Sequence, residues 1–275
     1  MEIKELLNQT NKLPNVPEVV RELIQALNNP NVDYDQIAQK VSEDQTLSLK
    51  ILRLVNSAHF GLSRKVSSID EATVMLGMGQ LKTLVIASGF AGSVKDVDGI
   101  DIKSFWAESF RVATLARWFA DHTKQVESDI AFTTGIIHNI GRLLLHLAQP
   151  NRAKAIQTLI DEQKVSRTKA ELERLGFTSQ DAGQALLDMW KFPPDLGIAV
   201  KNYKAPLVSE SPQPLSAVLH LASYMNDCIR ESRNLEDVQE HFPRDIAALA
   251  GINSDIIDSL ADAMKLESGL DGLAA

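Results

Sequence analysis

The segment GIIHNIGRLLLH, residues 135–146, places His138 and Asn139 among aliphatic residues in a stretch with the helical period. A neutral imidazole is a common ligand of divalent metals, whereas the neighbouring amide offers only a weak carbonyl donor. Arg142 follows one turn after His138, where its guanidinium could meet a phosphate. The segment therefore fits a metal or phosphate site, and it equally fits polar residues that are hydrogen-bonded inside a core.

Other kinds of catalytic chemistry have little support in the sequence. Cys228 is the single cysteine, and its helix-like surroundings, SYMNDCIRE, favour a buried structural thiol over a reactive one. The stretch LGMGQLKT contains two glycines and a lysine, but their spacing matches neither a Walker nor a Rossmann phosphate loop. A serine or cysteine nucleophile and a glycine-rich phosphate loop are therefore not indicated.

The composition is that of an ordinary soluble globular protein, with 44% hydrophobic and 23% charged residues. The net charge of −8 argues against a protein that binds nucleic acid through its overall field. The N-terminus lacks a signal-peptide pattern, and the most apolar stretches fall short of the roughly 20 residues that cross a bilayer. We therefore expect a cytoplasmic protein with no membrane span and no nucleic-acid partner.

Apolar residues recur with the helical period along almost the whole chain, and convincing strand alternation is absent. In PEVVRELIQAL, for example, Val20, Leu23 and Ile24 share one face, and Pro17 suits the first turn. The sequence therefore predicts an all-α fold.

Several helix starts are marked by capping residues. Asp33 is the expected N-cap of DYDQIAQKV. The pairs Ser42 with Gln45 and Ser68 with Glu71 each have the spacing of a capping box. These signals divide the first part of the chain into short helices.

The segment AGSVKDVDGID, residues 91–101, is glycine-rich and acidic and has little periodicity. This composition is typical of a connection between two packed parts. We therefore expect an N-terminal helical lobe in residues 1–98 and a second helical lobe, with C-terminal helices, in residues 99–275.

The order of several motifs resembles the HDOD family, regulatory relatives of the HD-type metal-dependent phosphohydrolases. The matching elements are LPNVP, Asp44 before a leucine-rich helix, Asn56–Ser57–Ala58, the run from Ile69 to Gly77, Trp106, GIIHNIGRLLL, LGFTSQDAGQALLDMWKFPPDL and VLHLAS. They cover roughly residues 12 to 230. The resemblance implies an all-α fold with an HD-like C-terminal lobe, and a regulatory role in bacterial signalling.

The resemblance also assigns positions to the metal ligands of an HD enzyme, which are a histidine, a His-Asp pair and a later aspartate. These positions fall at Glu108, at His138 with Asn139, and at Ser223; further histidines, used for a second metal, fall near Ser179 and at Tyr203 and Lys204. Only His138 is unchanged. Because Asn139 lacks the negative charge that holds a cation, and Lys204 would repel one, we expect no metal and no cofactor.

Two alternatives remain open for the same residues. Glu108, His138 and His220, one turn before Ser223, form a chemically acceptable ligand set for zinc or iron. Glu108 and His138 could instead form a charge-assisted hydrogen bond that ties two helices together without a metal.

The leading hypothesis is a non-catalytic signalling module that binds a signalling protein partner or an anionic nucleotide, including a cyclic dinucleotide. The expected ligand-binding residues are Glu108, His138, Asn139, Arg142, Tyr203, Lys204, His220 and Ser223. The competing hypothesis is a divergent metal-dependent phosphohydrolase that acts on a nucleotide or cyclic dinucleotide. The sequence leaves open whether the chain forms a homodimer.

Overall fold

The computed structural model describes residues 2–9, 14, 16–25, 34–56, 62, 64–94, 96–208 and 212–266. This part of the chain is helical, and its only strand-like feature is an isolated bridge between Val97 and Ile100. The predicted all-α fold is therefore confirmed. None of the described helices combines the length and the apolar character needed to cross a bilayer.

The described helices follow one another with short connections. They are α1 (Ile3–Leu7), α2 (Glu18–Gln25), α3 (Tyr34–Glu43), α4 (Gln45–Val55), α5 (Ile69–Leu76), α6 (Met78–Ala91), α7 (Ile102–Asp121), α8 (Ser128–Ile137), α9 (Ile140–Ala148), α10 (Pro150–Gln163), α11 (Arg167–Leu175), α12 (Ser179–Met189), α13 (Pro194–Asn202), α14 (Pro214–Arg230), α15 (Leu235–Glu240), α16 (Arg244–Leu249) and α17 (Leu260–Ala263), with a 3-10 turn at Ser254–Ser259 before α17.

The predicted helix starts in the N-terminal lobe are confirmed at α5 and wrong at α4. Ser68 caps α5 by accepting a hydrogen bond from the backbone N–H of Glu71 at 3.1 Å. Ser42 instead lies within α3, where its hydroxyl donates to the Ala38 carbonyl at 3.0 Å. The carboxylate of Asp44 caps α4, because it stands one residue before the helix and reaches the N–H of Leu47 at 3.0 Å.

The expected cap Asp33 lies outside the described residues. In α2, the predicted inward face is confirmed: Val20, Leu23 and Ile24 are all buried.

The buried apolar residues form two clusters. The larger one runs from Leu6 to Val200 and includes residues on both sides of the predicted 98/99 boundary. The second runs from Val112 to Ala263 and joins α7 to the C-terminal helices. The division into residues 1–98 and 99–275 therefore stays a prediction, with both parts contributing to one shared core.

Glycines allow the helices that carry His138 to approach their neighbours closely. A Cβ added at Gly135, in α8, would lie 2.8 Å from the backbone nitrogen of Ala113 in α7. A Cβ at Gly141, in α9, would overlap the Ser179 carbonyl oxygen and lie 2.5 Å from the Gly183 nitrogen in α12. Because backbone atoms cannot rotate away, these contacts fix α7, α8, α9 and α12 against one another around the junction between α8 and α9.

The helix α12 also contacts α2, near the start of the chain. Its C-cap residue is Trp190, whose carbonyl accepts a hydrogen bond from Gln25 Nε2 at 3.0 Å. Gln25 is the last residue of α2, so the end of α12 is tied directly to α2, far away along the chain.

Candidate functional site

His138 lies at the junction between α8 and α9 and is buried, with 3% of its surface exposed. Its Nδ1 lies 2.7 Å from the Gly135 carbonyl oxygen, so the proton is on Nδ1 and a lone pair is on Nε2. Burial lowers the pKa of His138 to about 3. The hydrogen bond to Gly135 acts in the opposite direction, whereas the positive charges of Lys204 and Arg142 lower the pKa further. The imidazole is therefore neutral in the folded protein.

Tyr203 connects His138 to His220. The Tyr203 ring is buried and meets the His138 ring edge-on, with 5.7 Å between centroids and 87° between planes. The Tyr203 carbonyl accepts a hydrogen bond from His220 Nδ1 at 2.8 Å. Burial raises the pKa of Tyr203 and lowers that of His220. All three side chains are therefore uncharged and hold α8, α13 and α14 together.

Lys204 brings a positive charge to this group. Its Nζ donates a hydrogen bond to Ser223 Oγ at 3.3 Å and lies 4.8 Å from the centroid of the Tyr203 ring. The residue itself is largely exposed, whereas Ser223 is buried. The ammonium group therefore sits among the side chains that replace metal ligands in the resemblance to HD enzymes.

Three other expected residues lie at the same site but lack such contacts: Glu108, Asn139 and Arg142. All three are half-buried, and within the described ranges their side chains take part in no hydrogen bond or ion pair. The charge of Glu108 raises the pKa of Tyr203, which places it near that ring. The predicted hydrogen bond between Glu108 and His138 is wrong, because the buried His138 is neutral and donates from Nδ1 to its own helix.

The alternative ligand set of Glu108, His138 and His220 is not supported by the structure. No three histidine, cysteine, aspartate or glutamate side chains in the described part of the chain are placed to hold a metal ion. Both histidines donate Nδ1–H to a backbone carbonyl and keep a lone pair on Nε2, so the argument against a metal rests on the missing carboxylates and on the positive charge of Lys204 beside them. The residues present do not fit a metal centre of the HD type.

Two residues of α11, which the sequence motifs did not indicate, complete the site. Glu171 is fully buried, and its Oε2 accepts hydrogen bonds from the N–H and the hydroxyl of Ser179, at 2.7 and 2.9 Å. Its Oε1 lies 3.8 Å from Arg167 Nη1 and has no hydrogen-bond partner. The four-residue spacing of Arg167 and Glu171 in SRTKAELERL was the available signal.

Arg167 stands close to Arg142. Burial lowers the pKa of Arg167, and the positive charge of Arg142 lowers it further. The negative charges of Glu171 and, more weakly, Glu108 raise it. Arg167 Nη2 donates to the neutral Gln157 Oε1 at 2.5 Å. The Nε of Arg142 is buried without a hydrogen-bond partner. The α9 and α11 side of the site is therefore rich in cationic donors.

Three comparisons show what the chain is similar to. It is 30% identical to a protein of Shewanella amazonensis SB2B that has been given the provisional name of a phosphohydrolase. The match to the crystal structure of that protein covers 98% of both chains, with a TM-score of 0.81. It is 25% identical to an uncharacterized protein of Treponema pallidum (strain Nichols), over 91% of this chain and 48% of that protein. It is 26% identical to the cyclic di-GMP phosphodiesterase CdgJ of Vibrio cholerae serotype O1, over 65% and 46%.

The chain spans about half the length of the two curated relatives, 48% and 46%. The family match is more direct, because the model of the HDOD domain matches residues 13–206, which include α2 to α13 and all but two of the expected site residues. The chain belongs to the HDOD domain family.

Proposed function

We propose that this chain is a non-catalytic signal-transduction module that binds a protein partner or an anionic nucleotide at its HD-like site. The observation that carries the proposal is the position of Lys204. Its ammonium group donates to Ser223 and lies against Tyr203, next to the neutral His138. A protein cation thus stands among the residues that would hold a metal ion in an HD enzyme.

The physical argument is one of charge. A divalent ion needs carboxylates or neutral imidazoles that converge, and an ammonium group beside them repels it. Asn139 and Ser223 supply no charge, and Glu108 is the one carboxylate at the three positions that the resemblance assigns to a first metal. The same positive charges favour an anion instead of a cation.

Membership of the HDOD family supports a role in signalling, and the site supports recognition without turnover. The proposal places the protein in the cytoplasm of a bacterium, with a separate signalling chain or a nucleotide as its partner.

The competing function is hydrolysis of a cyclic dinucleotide, suggested by the name of the Vibrio cholerae relative. That name describes a protein of which this chain matches 46%.

The deciding experiment measures metal content and turnover on the same preparation. Protein purified without chelators or an affinity tag is analysed by plasma mass spectrometry, and is then incubated with cyclic di-GMP and Mn²⁺, Fe²⁺ or Zn²⁺. We expect less than stoichiometric metal and no hydrolysis, in wild type and in His138→Ala alike. Stoichiometric metal and turnover that both disappear in His138→Ala, but persist when the exposed His241 is replaced by alanine, would establish the enzyme instead.

A further inference from the structure

The guanidinium group of Arg142 is the most conspicuous group at the site without a partner. It is half-buried, its Nε is shielded from solvent, and no hydrogen bond or ion pair reaches it within the described residues. A buried donor left unpaired costs free energy, and the cost is larger when the group is charged. Such a donor in a folded protein therefore calls for a partner, such as a water molecule or an anion.

Arg167 makes the arrangement still less favourable in the free protein. Arg142 and Arg167 repel each other, and the only carboxylate within 4 Å of either guanidinium, in the described part of the chain, is Glu171 at 3.8 Å from Arg167 Nη1. The other oxygen of Glu171 is already held by the N–H and the hydroxyl of Ser179. Glu171 is thus only partly available to Arg167, and Asp161 and Glu108 attract Arg167 from beyond this distance.

The backbone around these arginines is fixed. Arg142 follows Gly141, whose Cα is packed directly against the start of α12 at Ser179. Glu171 binds the same residue from α11. Because α9 and α11 are joined through the first residue of α12, the two arginines cannot separate by a simple rotation of either helix.

We infer that Arg142 and Arg167 together bind the phosphoryl group of a phosphate ester, and this inference rests on the proposed non-catalytic, metal-free function of the same site. A guanidinium group is planar and binds phosphate oxygens through parallel hydrogen bonds. A phosphoryl group carries enough oxygens and charge to engage two arginines at once, whereas a carboxylate has two oxygens and one charge. Glu108 and Glu171 oppose the anion, and Lys204, near His138, adds to its attraction.

The test uses orthophosphate as the first probe, in a phosphate-free buffer of constant ionic strength. Isothermal titration calorimetry and the melting temperature are measured for wild type, Arg142→Gln and Arg152→Gln. Arg152 is an exposed arginine on α10 and serves as the matched control for loss of one positive charge. Guanosine monophosphate and cyclic di-GMP, used as second and third probes, distinguish free phosphate from a phosphomonoester and a phosphodiester.

We expect at least one of the three probes to bind wild type and raise its melting temperature, with affinity reduced by about tenfold or more in Arg142→Gln and unchanged in Arg152→Gln. Without ligand, Arg142→Gln should melt at the same temperature as wild type or above it, because repulsion of Arg167 is removed. A purely structural arginine would instead lower the melting temperature when replaced.

Two results would overturn the inference: no binding of any phosphate probe to wild type, or binding that Arg142→Gln and Arg152→Gln weaken equally. Either result from protein that is metal-free and inactive leaves the proposed signalling function standing. Metal-dependent turnover in the same preparation would instead overturn the proposed function itself.

Discussion

The two sides of the HD-like site differ in how completely their polar groups are paired. The paired side consists of His138, Tyr203, Lys204, His220 and Ser223, which contact one another or a backbone carbonyl. The arginine side consists of Arg142, Arg167 and Glu171 and contains two buried polar atoms without a hydrogen-bond partner.

The difference separates stability from recognition. Groups on the paired side have satisfied one another, so we expect them to contribute mainly to the fold, while the exposed ammonium group of Lys204 can still attract an anion. On the arginine side, Arg142 Nε and Glu171 Oε1 are buried without a hydrogen-bond partner, whereas Arg167 and Glu171 Oε2 are hydrogen-bonded. We therefore expect a ligand to bind on the arginine side, and we expect the side that resembles the metal ligands of an enzyme to serve mainly the fold.

The largest effect is expected from Glu171→Ala, which removes the carboxylate that holds the arginine side together. The change leaves Arg167 without its nearest carboxylate and the N–H of Ser179 without its acceptor. We expect the free energy of unfolding to fall by about 3 kcal/mol, the lower part of the range for breaking a buried pair, because 26% of the Arg167 side chain is exposed. Urea denaturation measures it.

The matched control is Glu173→Ala, on the same helix but exposed to solvent. Its expected change is within about 0.5 kcal/mol. Equal losses in the two variants would contradict the role assigned to the buried carboxylate.

A smaller effect concerns pH and the paired side. The pKa of His138 is about 3 in the folded protein and near its usual 6.5 in the unfolded chain. Below pH 6.5 the unfolded chain gains a proton that the folded protein does not bind, so stability is full above this pH and falls as the pH decreases. Between neutral pH and about pH 5, wild type should lose about 2 kcal/mol more than His138→Phe.

This difference is measured by urea denaturation at a series of pH values. His241→Gln, which changes an exposed histidine, should follow the wild-type profile. Parallel profiles for wild type and His138→Phe would mean that the imidazole is not held neutral.

The smallest effect is expected from Lys204→Met. The lysine is largely exposed, so its hydrogen bond to Ser223 and its contact with Tyr203 should contribute about 0.5–1 kcal/mol. Loss of the ammonium group should also raise the pKa of His138, which it lowers in wild type. Nuclear magnetic resonance of the His138 ring follows this change, and Lys154→Met, which replaces an exposed lysine of α10, should leave it unaltered.

The helical fold could be predicted from the sequence because the spacing of apolar residues and the capping of helices depend on residues that are close together in the chain. Ser68 caps α5 as its spacing predicts, and Val20, Leu23 and Ile24 face the core. The wrong prediction that Ser42 caps α4 has a physical cause. A serine hydroxyl can accept a hydrogen bond from the first turn of the next helix or donate one to a carbonyl of the preceding turn, here Ala38. Which of the two forms depends on where α3 ends.

The site was harder to predict, because its contacts join residues far apart in the chain. The sequence aligned His138, Tyr203, Lys204 and Ser223 with one site, but it could not show that His138 would donate to its own helix instead of to Glu108. The importance of Glu171 depends on the position of Ser179, which only the packing of α9, α11 and α12 brings within reach.

The helix α12 gives this arrangement a mechanical consequence. Its first residue, Ser179, donates a backbone hydrogen bond to Glu171. The carbonyl of Trp190, just after its last residue, accepts a hydrogen bond from Gln25 of α2. Eleven residues of α-helix form a stiff rod about 16 Å long. We therefore expect a displacement of Ser179 to be transmitted along α12 to Gln25 of α2.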